Sequence, residues 1–285
     1  MPDTVVNPIA WAARKILGAG EYTADAARAV GTDRSTAEPV VREIGLADIR
    51  EALGKGYRDA MHFRGDVLFI VVLYPVIGLI LAGVGLNMDL LPLLFPLLAG
   101  FAIVGPLAAT GLYQMSRLRE AGKEAGWGDA VRVIGSPAFP ALVVMGLYLI
   151  GLFVAWLMVA ALVHSLTLGP EQPASIGAFL GAALTTPEGW AMILIGCAVG
   201  AVFAAAAISI SIVSFPLLLD RDVGVPQAIA TSVAVARKNP RTVAIWGAIV
   251  AALLVLGAIP ALIGLVLVMP VLGHATWHLY RRAVE

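Results

Sequence analysis

The chain has 285 residues, 60% hydrophobic and only 13% charged, with a mean hydropathy of +0.90. A soluble domain carries about 25% charged residues, so this composition indicates a membrane protein. The 19 basic and 19 acidic residues balance, which leaves no charge signature of a nucleic-acid partner, and a single cysteine, Cys197, excludes an internal disulfide.

Residues 1–40 are polar, alanine-rich and weakly patterned, without an apolar run long enough for a signal peptide, and read as a mobile cytoplasmic tail ahead of a membrane domain at 41–285. From Leu46 to Phe63 apolar residues recur as Leu46, Ile49, Leu53, Tyr57 and Met61, with Arg50, Glu51, Lys55, Arg58 and Asp59 between them. This spacing predicts an amphipathic helix at the membrane surface or against the bundle. Six apolar runs follow, at 67–86, 90–115, 138–165, 189–219, 243–257 and 259–279, each near the roughly 20 residues a bilayer core requires. Helix-start signals precede them: Asp66, Asp89, Ser136-Pro137, Thr186-Pro187-Glu188 and Asn239-Pro240. The fifth run is short, and only 257–260 separate it from the sixth.

Charge placement orients these spans. Nine Lys and Arg precede the first run, four lie in 116–137, four in 220–241 and two after the sixth, which accounts for every basic residue. The loops between, including 166–188, carry none, so both termini are expected in the cytoplasm. The opposite side is short-looped and almost uncharged.

A motif recurs three times. GPLAATGLYQMSR (Gly105–Arg117), FPLLLDR (Phe215–Arg221) and MPVLGHATWHLYR (Met269–Arg281) each carry a proline near the end of an apolar run and stop at an arginine. The prolines are Pro106, Pro216 and Pro270, and the residue four beyond each is Thr110, Asp220 and His274. An amphipathic piece and a short break precede each hairpin: Leu46–Phe63, Trp127–Ile134 and Pro226–Arg237. The expected fold is therefore all-α, six spans as three pseudo-repeated hairpins with short cytoplasmic amphipathic helices.

GPLAATGLYQMSR, SFPLLLDRDV and MPVLGHATWHLYRR, in that order, resemble the uncharacterised bacterial integral membrane proteins grouped as domain of unknown function 2189. The resemblance runs from about Val41 to the C-terminus. It implies a six-span inner-membrane protein, and some members of that family are loosely labelled as related to cytochrome c oxidase. The family brings no established catalytic residues, so none is carried over.

The residues themselves limit the chemistry. His274 and His278 stand four apart on one helix face, which makes them weak candidates for a metal site. They read more simply as interfacial polar residues beside Trp277 and Tyr280 in an aromatic belt, so no metal or other cofactor is expected. Asp220 and Arg221 sit where the fourth run ends. With Tyr113, Arg117, Trp277 and Arg281 they suggest a cytoplasmic ring of aromatic and arginine side chains, structural or functional, able to contact anionic lipid headgroups. Gly196, Gly200 and Ala204 form a small-residue ridge suited to helix packing. No GxSxG, HExxH or phosphate-loop motif is present, and the runs hold no ionisable group away from their ends. The sequence leans away from an enzyme. It fits a non-enzymatic accessory or assembly component of a membrane complex, with membrane lipid and a protein of that complex as partners. The alternatives are a channel or transporter for a small or apolar solute, and an oxidase-associated subunit without its own catalytic centre.

Overall fold

A computed structural model describes residues 31, 39–62, 76–83, 86, 90–171, 173–260 and 262–285. The tail expected at 1–40 falls almost wholly outside the described residues, as do most of the first run and the start signals Asp66 and Asp89. Everything else is helical, apart from turns and an antiparallel bridge between Val41 and Val284.

Helix α1 is Leu46–His62. The stretch Leu91–Glu120, here α2, is a series of helical pieces in which a 3-10 turn at Ala102–Val104 interrupts the ladder just before Pro106. A short helix α3, Trp127–Val131, runs into a 3-10 turn, Arg132–Gly135. Helix α4, Phe139–Thr167, is 29 residues long, about 44 Å at 1.5 Å per residue and longer than a bilayer core of roughly 30 Å. The ten-residue apolar helix α5, Ile176–Thr185, occupies the loop at 166–188, which carries no basic residue. Thr186 then caps α6, Pro187–Asp220, by accepting the Gly189 amide at 3.0 Å, with Pro187 in the first turn as the sequence signal requires. Helices α7, Val225–Lys238, α8, Pro240–Ala258, and α9, Leu265–Ala283, complete the chain.

Among the described residues, α2, α4, α6 and α8 are long and apolar enough to cross a membrane. They expose large apolar side chains such as Leu147, Met158, Leu194, Val202 and Leu256, as helices facing lipid do. The sixth run needs correction. Residues 259–260 and 262–264 are turns, with Leu262 in the left-handed region at φ 66°, and α9 starts only at Leu265. Its last ten residues carry His274, His278, Arg281 and Arg282, so α9 is too polar to rank with the four.

Proline breaks set where these helices end. In α6 the ladder opens at Ile212–Val213, ahead of Pro216, and a proline cannot donate back to the preceding turn. Ser214 Oγ shares its one proton between the Ile210 carbonyl at 2.5 Å and the Ala228 carbonyl at 3.0 Å. Ser232 Oγ accepts the Val213 amide at 3.4 Å. The break is thereby stitched to α7 rather than left unsatisfied. Mid-length, Trp156 of α4 joins three helices. Its indole donates to the Pro96 carbonyl at 3.1 Å, its ring lies against Gly200, and Phe203 stands 5.7 Å away.

The most extensive helix pairing is α1 along α9. The buried face of α1 is Ile49, Ala52, Gly56, Asp59 and Ala60, while Leu46 and Tyr57 are exposed. The face is thus rotated from the one expected. Close approach, not side-chain size, decides it: a Cβ on Gly56 would lie 2.5 Å from the Ala275 backbone nitrogen. The chain ahead of α1 is clamped as well. Val40 and Glu285 exchange backbone hydrogen bonds at 3.0 and 2.9 Å, and Arg42 pairs with the Glu285 carboxylate. Asn239, instead of capping α8, accepts the Ile44 amide at 2.8 Å and donates to the Arg42 carbonyl at 3.0 Å.

Candidate functional site

The ends of α2, α6 and α9 meet α1 in one polar hub. Asp59 is its centre, 6% exposed, placed by the Gly56–Ala275 crossing that lets α1 lie against α9. Its Oδ2 accepts Ser116 Oγ at 2.6 Å and His278 Nε2 at 2.8 Å, and its Oδ1 accepts Arg119 Nη1 at 2.7 Å. Ser116 has one hydroxyl proton, which it gives to Asp59, so at 2.8 Å it accepts from His274 Nδ1. That fixes the His274 tautomer with the proton on Nδ1. Burial works against ionisation of Asp59, but the hydrogen bonds from His278 and Ser116 outweigh it and hold its carboxyl below the ordinary 3.8.

Two further carboxylates, Asp220 and Glu120, complete the hub. Asp220 accepts the Tyr280 hydroxyl at 2.8 Å and faces Arg117 Nε at 3.3 Å and Arg281 Nη1 at 3.5 Å. Glu120 accepts the Trp277 indole at 3.0 Å and Arg281 Nε at 3.2 Å. Towards the open face, Arg282 bonds Glu51; that bond, then one from Lys55, lowers the Glu51 carboxyl.

The three motif ends are therefore in contact through Arg117, Asp220, Trp277 and Arg281. The ring expected from sequence is a packed cluster of ion pairs and indole or phenol donors. Tyr113 is buried beneath it, and Arg221 turns aside to donate to the Glu285 carbonyl at 3.1 Å. His274, read as interfacial, is wholly buried. Pro106 and Pro216 stand just after helix breaks, whereas Pro270 lies inside α9. Of the small-residue ridge, Gly200 packs on Trp156, a Cβ added at Gly196 would meet nothing within 4 Å, and Ala204 is exposed.

Asp59, Ser116, Arg119, Glu120 and Tyr280 are the hub residues that sequence reasoning missed. One signal could have found Asp59: Ala52, Gly56 and Ala60 repeat at four-residue spacing, and the face they define carries Asp59 beside it.

The order of groups is not that of a hydrolase triad. Ser116 is 1% exposed and donates to the Asp59 carboxylate rather than to a histidine, so it lies buried away from any substrate. Nor do the histidines converge on a metal position, since His274 Nδ1 faces Ser116 and His278 Nε2 faces Asp59. Among the described residues no three His, Cys, Asp or Glu side chains are grouped to hold a metal ion. Beside the hub, a half-open cleft of about 290 Å³ lies where α2 ends, α4 begins and α6 ends.

Residues 94–220 match the family model described as predicted integral membrane protein (DUF2189). The DUF2189 stretch starts within α2 and finishes at Asp220, so it contains the first proline motif, the second up to Asp220, and the Arg117–Asp220 pair. The resemblance expected from Val41 onward is carried by the family model over that stretch; α1 and α9 lie outside it. No curated protein and no solved structure matches the chain.

Proposed function

We propose that this integral membrane protein is a non-enzymatic accessory or assembly component of a membrane complex, seated in a bacterial inner membrane with both termini in the cytoplasm. The observation that carries the reading is the hub. Its carboxylates are each held by two or three donors, and they tie four helices together at one end of the molecule. A mutually satisfied network of this kind fixes geometry and leaves no base or nucleophile poised for turnover.

The path of the chain supports the finer architecture of six spans in three hairpins. Arg117 meets Asp220 and Asp220 meets Tyr280, so the stretch holding α4 and α6 and the stretch holding α8 and α9 each begin and end at the hub. Asp59 meets Ser116, and the run at 67–86 between them lies mostly outside the described residues. The described basic residues lie in α1 or just ahead of it, at the ends of α2, α7 and α9, at the start of α8 or in connections between helices, and by the positive-inside rule this pattern supports a cytoplasmic hub.

Gentle-detergent purification from native membranes, followed by quantitative mass spectrometry, tests the role. A membrane protein recovered in fixed stoichiometry is the expected result. A chain that comes out alone and is thermally stabilised by a small solute points instead to the transporter alternative.

A further inference from the structure

The cleft beside the hub has a chemistry the hub does not use. Three arginines, Arg117, Arg132 and Arg221, line it with Gln114 and Ser136, over an apolar floor that includes Leu218. Its volume of about 290 Å³ is at the lower edge of small-ligand pockets, which begin near 300 Å³. Each guanidinium has five N–H donors in a planar fork. Arg117 directs Nε at Asp220 and Nη1 at Gln114, Arg221 directs Nη1 at the Glu285 carbonyl, and Arg132 directs Nη1 at Asp129. Donor capacity therefore exceeds acceptor capacity inside the cleft. Forked donors of this kind match phosphate oxygens better than a lysine would.

The acidic residues at the cleft set the charge of the guest. Asp220 already accepts from Tyr280 and faces two arginines, and Asp222 also lines the cleft. A singly charged phosphodiester suits this balance better than a dianionic monoester. Position adds to the argument: the cleft opens where apolar helices end, the depth at which headgroups sit.

We propose that this cleft binds a phosphoryl group, and that the group is the phosphodiester of a membrane phospholipid. The inference rests on the membrane placement above and not on the assembly role, since a lipid titration reads the same whether or not a partner protein is recovered.

The test is a titration of the purified full chain, by native mass spectrometry, with phosphatidylglycerol, with a glycosyl diacylglycerol that lacks phosphate, and with inorganic phosphate. Arg132→Gln with Arg221→Gln should weaken phosphatidylglycerol retention by roughly tenfold or more, at the scale of one charge-assisted hydrogen bond. Arg237→Gln, at an exposed arginine away from the cleft, should leave it unchanged. The Arg132 side chain is 80% exposed, so Arg132→Gln alone keeps the fold and serves as the second variant. Equal retention by the cleft variants, or equal retention of the phosphate-free lipid, overturns the proposal. Arginine-dependent binding of inorganic phosphate without the lipid keeps the phosphoryl site but overturns the lipid as its source.

Discussion

Replacing Asp59 with alanine is the perturbation that probes the hub most sharply. The carboxylate accepts three hydrogen bonds, from Ser116, His278 and Arg119, at 2.6, 2.8 and 2.7 Å. Each bond to a charged group is worth about 1.5–3 kcal/mol, and removing one partner of a buried pair costs about 3–5 kcal/mol. The donors left behind differ in their access to water. Ser116 is 1% exposed and the His278 side chain 13%, whereas the Arg119 side chain is 37% exposed and rehydrates. Discounting that partner, Asp59→Ala should lose about 3 kcal/mol. The assay is reversible denaturation in mixed micelles, followed by tryptophan fluorescence, with Arg119→Ala and the double variant closing a cycle. The pH dependence has a definite sign. Because the folded carboxyl titrates below its ordinary 3.8, its contribution is fully present above that value and disappears as pH falls through the lower folded one. The gap between native chain and Asp59→Ala should be present at about pH 5 and shrink as pH falls below about 4. A loss under about 0.5 kcal/mol would mean that the hub does not hold the helix ends, and the reasoning fails.

Three further outcomes follow from the same contacts. Gly56→Ala should destabilise by about 1–3 kcal/mol, because its Cβ meets the Ala275 backbone and no rotamer relieves a backbone clash; an unchanged unfolding midpoint would place the two helices farther apart. Asn239→Ala should cost about 1–3 kcal/mol by leaving the buried Ile44 amide unpaired, and limited proteolysis should then cut within 39–45 sooner than in the native chain. Asp220→Ala should cost about 1–2 kcal/mol, less than Asp59→Ala, because the Arg117 and Arg281 side chains are each 41% exposed; membrane abundance should fall with stability, with no separate loss of activity.

Helix positions were largely legible because apolar length and proline placement are local properties. The runs at 138–165 and 189–219 became α4 and α6 with ends shifted by only a few residues, and Thr186-Pro187 starts α6 by the chemistry its side chain offers. The proline motifs were legible as helix ends, and Arg117, Arg281 and Asp220 converge, while Arg221 turns to the Glu285 carbonyl. What stayed hidden depends on how helices approach one another. The face of α1 follows from Gly56 meeting Ala275, a contact 219 positions apart that no period reveals, so the larger Leu46 and Tyr57 suggested the wrong side. His274 illustrates the same limit. Near a basic helix end it resembles an interfacial side chain, yet the arrival of Ser116 from α2 and Asp59 from α1 turns it into a buried partner. Asn239 had the local signature of a cap, and the distant Ile44 amide claimed it instead.

Cysteine labelling in intact cells tests most directly the claim that the hub faces the cytoplasm of a membrane-spanning chain. With Cys197 replaced by alanine, Glu171→Cys lies on the connection between α4 and α5, and Lys123→Cys lies beside the hub between α2 and α3. The account predicts that a membrane-impermeant maleimide modifies Glu171→Cys in intact cells and reaches Lys123→Cys only after lysis. Labelling of Lys123→Cys from outside, with Glu171→Cys protected, would contradict it and place the hub on the other side of the membrane.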